Sequence, residues 1–271
     1  MLKKTFLQKE QIKSLIKWIK ENAPGNRQTI KDFISKSFDI AYTVTAIGKL
    51  LNKNGIKRLK PKLIPGKPPS LAKQYGFILH YLMLKKLQRN DESMVQLFVD
   101  GMHLVHQVIP TFYWVSCKDR LVFNSNSSRN RLNILGAYDA QTHTLVHLTS
   151  EANCDAEKVI EFLELVCKVY HDKDSIVLHM DNAPYFHAEI VRTWLKKHPQ
   201  IVINALPAYA PNLNLIERLW RFVKGELVRN RYYEKYKTFR SKVFILLNNL
   251  QDHTNELKTL ITHNFEIVYQ K

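Results

Sequence analysis

Three carboxylates stand where metal-assisted phosphodiester chemistry would need them. Asp100 closes the apolar run Val95-Gln96-Leu97-Phe98-Val99, and Asp181 closes Ile176-Val177-Leu178-His179-Met180. Both runs read as strands, and in open α/β sheets ligand sites collect beyond the carboxyl ends of strands. Taken singly, an aspartate in that position is often only a turn residue. Glu217 is the sharper signal. Leu213, Glu217 and Trp220 fall at i, i+4 and i+7, one face of a helix, with Ile216, Leu219 and Val223 flanking it. A carboxylate on the sheet-facing side is costly to bury unless a salt bridge or a metal ion compensates it. Cutting a phosphodiester requires in-line attack on a hindered, anionic phosphorus. Two Mg²⁺ ions about 4 Å apart can activate the attacking oxygen and stabilise the leaving one. Mg²⁺ prefers hard oxygen donors, and Mn²⁺ accepts the same set. Asp100, Asp181 and Glu217, coming from three different elements, could frame such a two-ion Mg²⁺ or Mn²⁺ site.

The elements that must carry these acids follow from the periodicity. Residues 95–100, 131–138, 144–148, 175–181 and 201–205 read as strands. Helices are expected over about 70–88, around Val159, Phe162, Leu163 and Val166, over 188–197, and from about Asn212, with two more helical segments closing the chain. The order β-β-β-α-β-α-β-α is that of a mixed α/β layer fold. Ahead of it, residues 8–54 read as three short helices, the first broken by Pro24-Gly25-Asn26 and the third ending near Asn54-Gly55. Three helices in so short a span suit a helix-turn-helix, and equally any small bundle. In the first case the third helix offers Tyr42, Thr43, Thr45 and Lys49 to DNA.

Charge supports a polyanion partner. The chain carries 41 Lys and Arg against 24 Asp and Glu, a formal net charge of +17, and an excess of that size points to nucleic acid or an anionic membrane surface. No long apolar run and no signal-peptide start are present, so nucleic acid is the better partner, and the expected setting is the bacterial cytoplasm, in association with the nucleoid. Between Ile40 and Asn90 there are eleven basic residues and no acid. The proline-rich stretch Lys60-Pro61-Lys62-Leu63-Ile64-Pro65-Gly66-Lys67-Pro68-Pro69 reads as an extended linker. With Lys57 and Arg58, its Lys60, Lys62 and Lys67 could track a phosphate backbone, with a strong salt dependence. Cys117, Cys154 and Cys167 form no CxxC pair and read as buried thiols rather than zinc ligands.

Two longer motifs are specific. Asp181-Asn182-Ala183-Pro184-Tyr185-Phe186-His187 is followed by Leu206-Pro207-Ala208-Tyr209-Ala210-Pro211-Asn212-Leu213-Asn214-Leu215-Ile216-Glu217-Arg218-Leu219-Trp220. This pair resembles the catalytic region of mariner-superfamily bacterial insertion-sequence transposases, which belong to the DDE superfamily endonucleases. The resemblance runs from about Phe98 to Leu250. The 35 residues between Asp181 and Glu217 are similar to that family's spacing of its second and third acids. The resemblance implies a ribonuclease-H-like mixed sheet with flanking helices, preceded by a small all-α, winged-helix-like helix-turn-helix domain. It implies that Asp100, Asp181 and Glu217 are the three catalytic acids, and that Asn182 and His187 support them or touch DNA. His103 and His106 resemble a variant with histidines in the loop after the first acid, and could equally be surface or packed histidines. It further implies cleavage of element ends by water, attack of the freed 3′-hydroxyl on target DNA, and a dimer on DNA holding terminal repeats and target. Family members carry two helix-turn-helix units, whereas this chain resembles them from about the second onward, as a split-frame product or a truncated remnant would.

The expected organisation is thus a helix-turn-helix domain over 1–56, a basic linker over 57–70, a DDE catalytic domain over 71–252 and a C-terminal helical tail over 253–271. Two rival readings predict different behaviour. A catalytically silent, transposase-derived DNA-binding protein binds without cutting. A ribonuclease-H-like nuclease without strand transfer cuts without joining.

Overall fold

The computed structural model describes residues 6–59, 67–112, 122–124 and 130–269. The chain divides into two compact units, Met1–Leu63 and Ile64–Lys271.

The first unit holds α1 (Lys9–Asn22), α2 (Arg27–Phe38) and α3 (Val44–Lys53). Each start has a side-chain device. Gln8 and Gln11 form a capping box on α1, Asn26 accepts from Thr29 N at α2, and Thr43 accepts from Ala46 N at α3. Asp39 ends α2 in a left-handed conformation (φ 54°), opening the turn into α3. Leu7, Leu15, Ile30, Ile34, Ile40 and Ile47 form the core, and Trp18 stacks on Phe33 with ring centroids 4.1 Å apart. Among the described residues no hairpin wing follows α3.

The second unit begins with α4 (Leu71–Asn90) and continues with β1 (Met94–Val105), β2 (Arg131–Asp139), β3 (Thr144–Ser150), α5 (Ala156–Val169), β4 (Ser175–Met180), α6 (Glu189–Lys196) and β5 (Ile201–Ala205). Three further helices follow: α7 (Ile216–Val228), α8 (Tyr236–Asn248) and α9 (Thr254–Leu260). The strands form one mixed sheet in the order β3-β2-β1-β4-β5. Both β1–β2 and β2–β3 pair antiparallel, whereas β1–β4 and β4–β5 pair parallel. Alternate residues of β1 feed two cores. Phe98, Met102 and Leu104 pack with α7, α8 and α9, while Val95, Leu97 and Val99 pack with α5 and α6. The fully buried His179 is held neutral, its pKa lowered to about 3 chiefly by burial. It is tied across the sheet to Gln96 Oε1 at 2.9 Å and Asn204 Nδ2 at 3.0 Å.

Several expectations need correction. β1 does not end at Asp100. It runs on to Val105, because β2 continues to pair with it as far as Val105↔Arg131. His103 is consequently an exposed strand residue, and His106 stands in the bend just past the strand's end rather than beside the acid. His103 Nδ1 pairs with Asn133 Oδ1 at 2.6 Å, and buried His106 meets the Tyr233 carbonyl through Nε2 at 2.8 Å. Leu213 lies in a 3-10 turn, Pro211–Leu213, before α7 rather than on one helix with Glu217. Cys154 and Cys167 are half-buried rather than buried, and Cys117 lies outside the described residues.

The terminal segment is helical only through Leu260. Beyond it the chain is a ribbon stitched to α4 and α7. Arg218 donates to the carbonyls of Thr262 and Asn264, both at 2.6 Å. Asn212 donates to that of Glu266 at 2.6 Å. Buried Gln74 bonds both the N–H and the carbonyl of Val268. Among the described residues no helix is long and apolar enough to cross a membrane.

Candidate active site

The two aspartates meet because of strand register. The parallel pairing of β1 with β4 ends at Val99↔Met180, so Asp100 and Asp181 are the next residue on each strand. Neighbouring strands run about 4.8 Å apart, which sets the two acids side by side. Asp100 follows the alternation of Phe98 and Met102 and faces the α7 side. There α7 lays Ile216, Leu219, Trp220 and Val223 on the sheet, and Glu217 stands in its first turn. A carboxylate at that end also complements the helix dipole.

Asn214 ties these parts together. Its buried side chain donates through Nδ2 to the Val99 carbonyl at 3.1 Å, one residue before Asp100. Its own carbonyl accepts from Glu217 N at 3.2 Å. One residue thus links the strand of the first acid to the helix of the third. Sequence reasoning passed over it. The available signal was an Asn three residues before Glu217, a capping position.

The other two acids lie near enough for their charges to act on Asp100. Burial pushes the Asp100 carboxyl up to about 7, and the negative charges of Glu217 and Asp181 add to the rise. The Gly101 N–H and the Trp220 indole oppose it. Glu217 is also raised, chiefly by burial, against the pull of Lys224 and Arg221. Asp181 is exposed, and its Oδ1 accepts from Ala183 N at 3.2 Å in a tight turn. Among the described residues, no ion pair involves any of the three acids. Nor is any group of three His, Cys, Asp or Glu side chains already drawn to ligating distance. The donor set nonetheless fits hard divalent cations. It offers only oxygen, it is partly desolvated, and its charges repel one another until a cation neutralises them.

A pH dependence follows. The native Asp100 keeps its proton to a higher pH than in the unfolded chain, where the value is near 3.8. Between those values the native state binds more protons, so metal-free stability falls as pH rises from about 4 to 7 and the loss is complete above. Saturating Mg²⁺ is expected to raise the thermal midpoint more at about pH 8 than at about pH 5. Scanning calorimetry with and without metal checks this, and an equal gain at both pH values contradicts it.

The other expected site residues scatter. Asn182 and His187 are exposed beside Asp181 and bonded to each other, His187 Nε2 to Asn182 Oδ1, at 2.6 Å. On α3, Thr45 and Lys49 are exposed. Thr43 serves as the helix cap, and Tyr42 packs against the small core while its hydroxyl accepts from Leu7 N at 3.1 Å. Lys57, Arg58 and Lys67 are exposed, and Lys60 and Lys62 lie outside the described residues.

A five-stranded mixed sheet, helices on both faces and acids at the β1–β4 junction and on the helix after β5 define a ribonuclease-H-like fold. Residues 95–240 match the family described as DDE superfamily endonuclease. That span is more than half of the chain, and the chain belongs to this family. It is 30% identical over 71 residues to an insertion element IS630 uncharacterized 39 kDa protein of Shigella sonnei, covering 26% of this chain and 21% of that protein. It is 28% identical over 99 residues to the uncharacterized protein y4pE/y4sA of Sinorhizobium fredii, covering 36% of this chain and 70% of that protein. Among solved structures, it is similar to the mariner Mos1 paired end complex with Mg (TM-score 0.63, 13% identity, 96% of this chain and 79% of that one). It is also similar to a pre-cleavage Mos1 transpososome (TM-score 0.62, 11% identity, 98% of this chain and 82% of that one). At such identities the likeness is one of fold.

Proposed function

We propose that this chain is a DNA transposase of the insertion-sequence kind, which cuts the ends of its element and joins them to target DNA. The observation that carries the reading is the meeting of Asp100, Asp181 and Glu217 at one edge of a ribonuclease-H-like sheet in a DDE superfamily endonuclease. The catalytic and metal-binding roles go to these three residues. They would hold two divalent cations, Mg²⁺ or Mn²⁺, which when bound supply an activated attacking oxygen and charge neutralisation at the phosphate. Asp100, anchored in mid-strand, and Glu217, anchored through Asn214, supply rigid oxygen donors. Asp181, exposed at the end of its strand, faces incoming DNA. Lys224 and Arg221 on the Glu217 helix lower the cost of gathering negative charge there.

DNA binding would fall to the helical unit over 1–56 and the basic segment over 57–70. Thr45, Lys49, Lys57, Arg58, Lys60, Lys62 and Lys67 would offer phosphate and groove contacts, with Tyr42 and Thr43 shaping the α3 end. Asn182 and His187 would act beside Asp181. The domain over 71–252 would carry the chemistry, with the terminal segment over 253–271 bracing α7. Solved Mos1 assemblies include a paired-end complex and a strand transfer complex. By analogy, two copies of this chain would hold two element ends, in a bacterial, nucleoid-associated setting.

The test is incubation with a labelled duplex bearing the element's own ends, a target plasmid, and Mg²⁺ or Mn²⁺. Cut ends and joined products are expected. Cutting without joining makes the chain a nuclease of the same fold. Binding without cutting under either metal makes it a DNA-binding relative, and each of these outcomes overturns the proposal.

A further inference from the structure

Trp220 is placed in a way that packing alone does not explain. It lies on the inner face of α7, only 2% exposed. Its six-membered ring covers Gly136, where an added Cβ would fall 2.6 and 2.8 Å from two ring carbons. Gly136 is the cross-strand partner of Asp100 in the β1–β2 pairing. Directly opposed residues of an antiparallel pair project to the same face, about 4.5–5.5 Å apart at Cβ. The missing side chain at 136 therefore opens a slot beside Asp100, and the indole fills it. The Trp220 Nε1 is buried and makes no hydrogen bond of ordinary geometry. Buried donors are rarely left so, because lost hydration is not replaced.

We propose that Trp220 is a positioning residue of the metal site: its indole N–H, seated over the bare backbone of Gly136, fixes the Asp100 carboxylate facing Asp181 and Glu217. This rests on the assignment of the three acids as metal ligands. An Asp100 carboxylate oxygen turned toward this slot would be the acceptor for the buried N–H. Groups that orient ligands from behind in this way commonly change metal affinity about 10–100-fold when removed. Phenylalanine at the same position keeps an aromatic ring on the inner face of α7 and removes the donor together with the ring carbons that cover Gly136.

The test compares Mn²⁺ binding, by electron paramagnetic resonance of the free ion, in the wild-type chain, Trp220→Phe and Asp181→Ala. Thermal melting serves as a check that each is folded. Trp220→Phe is expected to weaken Mn²⁺ binding about tenfold. Its DNA cleavage at saturating Mn²⁺ should stay within about threefold of wild type, the mark of an effect on metal occupancy rather than on the chemical step. Unchanged Mn²⁺ affinity in folded Trp220→Phe, with Asp181→Ala weakened, overturns the positioning role and leaves the three-acid reading standing. Unchanged affinity in both variants overturns that reading itself. If Trp220→Phe does not fold, the wild-type indole ¹⁵N–H resonance, assigned through its contacts to Gly136, decides. A shift that saturates with Mg²⁺ is expected, and a resonance that stays in place while metal binds overturns the proposal.

Discussion

Asp181→Ala is expected to abolish metal-dependent DNA cleavage while leaving folding and DNA binding in place. The residue is exposed, and its recorded hydrogen bond is the one it accepts from Ala183 N at 3.2 Å. Removing it deletes one small turn contact and one negative charge that raises the carboxyl groups of Asp100 and Glu217. The folded state should thus lose little. The reaction should lose most of what a divalent cation contributes, several kcal/mol of transition-state stabilisation, or on the order of a thousandfold in rate. Cleavage of end-bearing duplex, gel-shift affinity without metal, and thermal melting report the three quantities separately. Cutting by Asp181→Ala within about tenfold of wild type would remove this residue from the metal site, since a tenfold change is only about 1.4 kcal/mol.

The second large effect is expected at Gly136, and here stability moves first. A Cβ at this position would meet two Trp220 ring carbons below 3.0 Å and the Ile216 Cδ1 at 3.1 Å. The ring is rigid, and both neighbours sit on the buried face of α7. The conflict must therefore push the helix away from β2. Overpacking of this kind costs about 1–3 kcal/mol, which for a unit of this size lowers the melting temperature by roughly 5–10 °C. Because Glu217 rides on the same helix, Gly136→Ala should also lose cleavage beyond what its stability loss explains. Two comparisons make the cause visible. Gly101→Ala is expected to stay within about 1 kcal/mol of wild type, because its nearest neighbours would lie at 3.6 Å, ordinary contact distance. Adding Trp220→Phe to Gly136→Ala should restore part of the loss, since the smaller ring vacates the contested space. A Gly136→Ala protein that melts like wild type would refute the close approach.

Much of this protein could be read from its sequence, because the governing rules are local. Apolar alternation and turn residues located all five strands, and their order pointed to a mixed sheet. The long motifs around Asp181 and Glu217 carried the family. Where the reading went astray, a distant partner had decided the outcome. The apolar run before Asp100 looks like a strand that stops at the acid. Pairing with β2 instead carries the strand five residues further, so that His103 is an exposed strand residue bonded to Asn133 and His106 is a buried residue in the bend past the strand's end. The terminal segment reads as one helical tail, yet carbonyl contacts from Arg218, Asn212 and Gln74 hold its last part as a ribbon.

The site divides along the same line. The sequence by itself determined which carboxylates were candidates, since residue type and motif are written in it. Only the tertiary structure decided that they meet, and how. Strand register sets Asp100 beside Asp181, and the Asn214 bond to Val99 brings the Glu217 helix to that edge. Gly136 marks the difference most clearly. In sequence it is a glycine inside an apolar strand, which only hints at a close approach. The identity of what approaches, Trp220 from a helix some eighty residues later, is fixed by long-range packing, for which no local pattern exists.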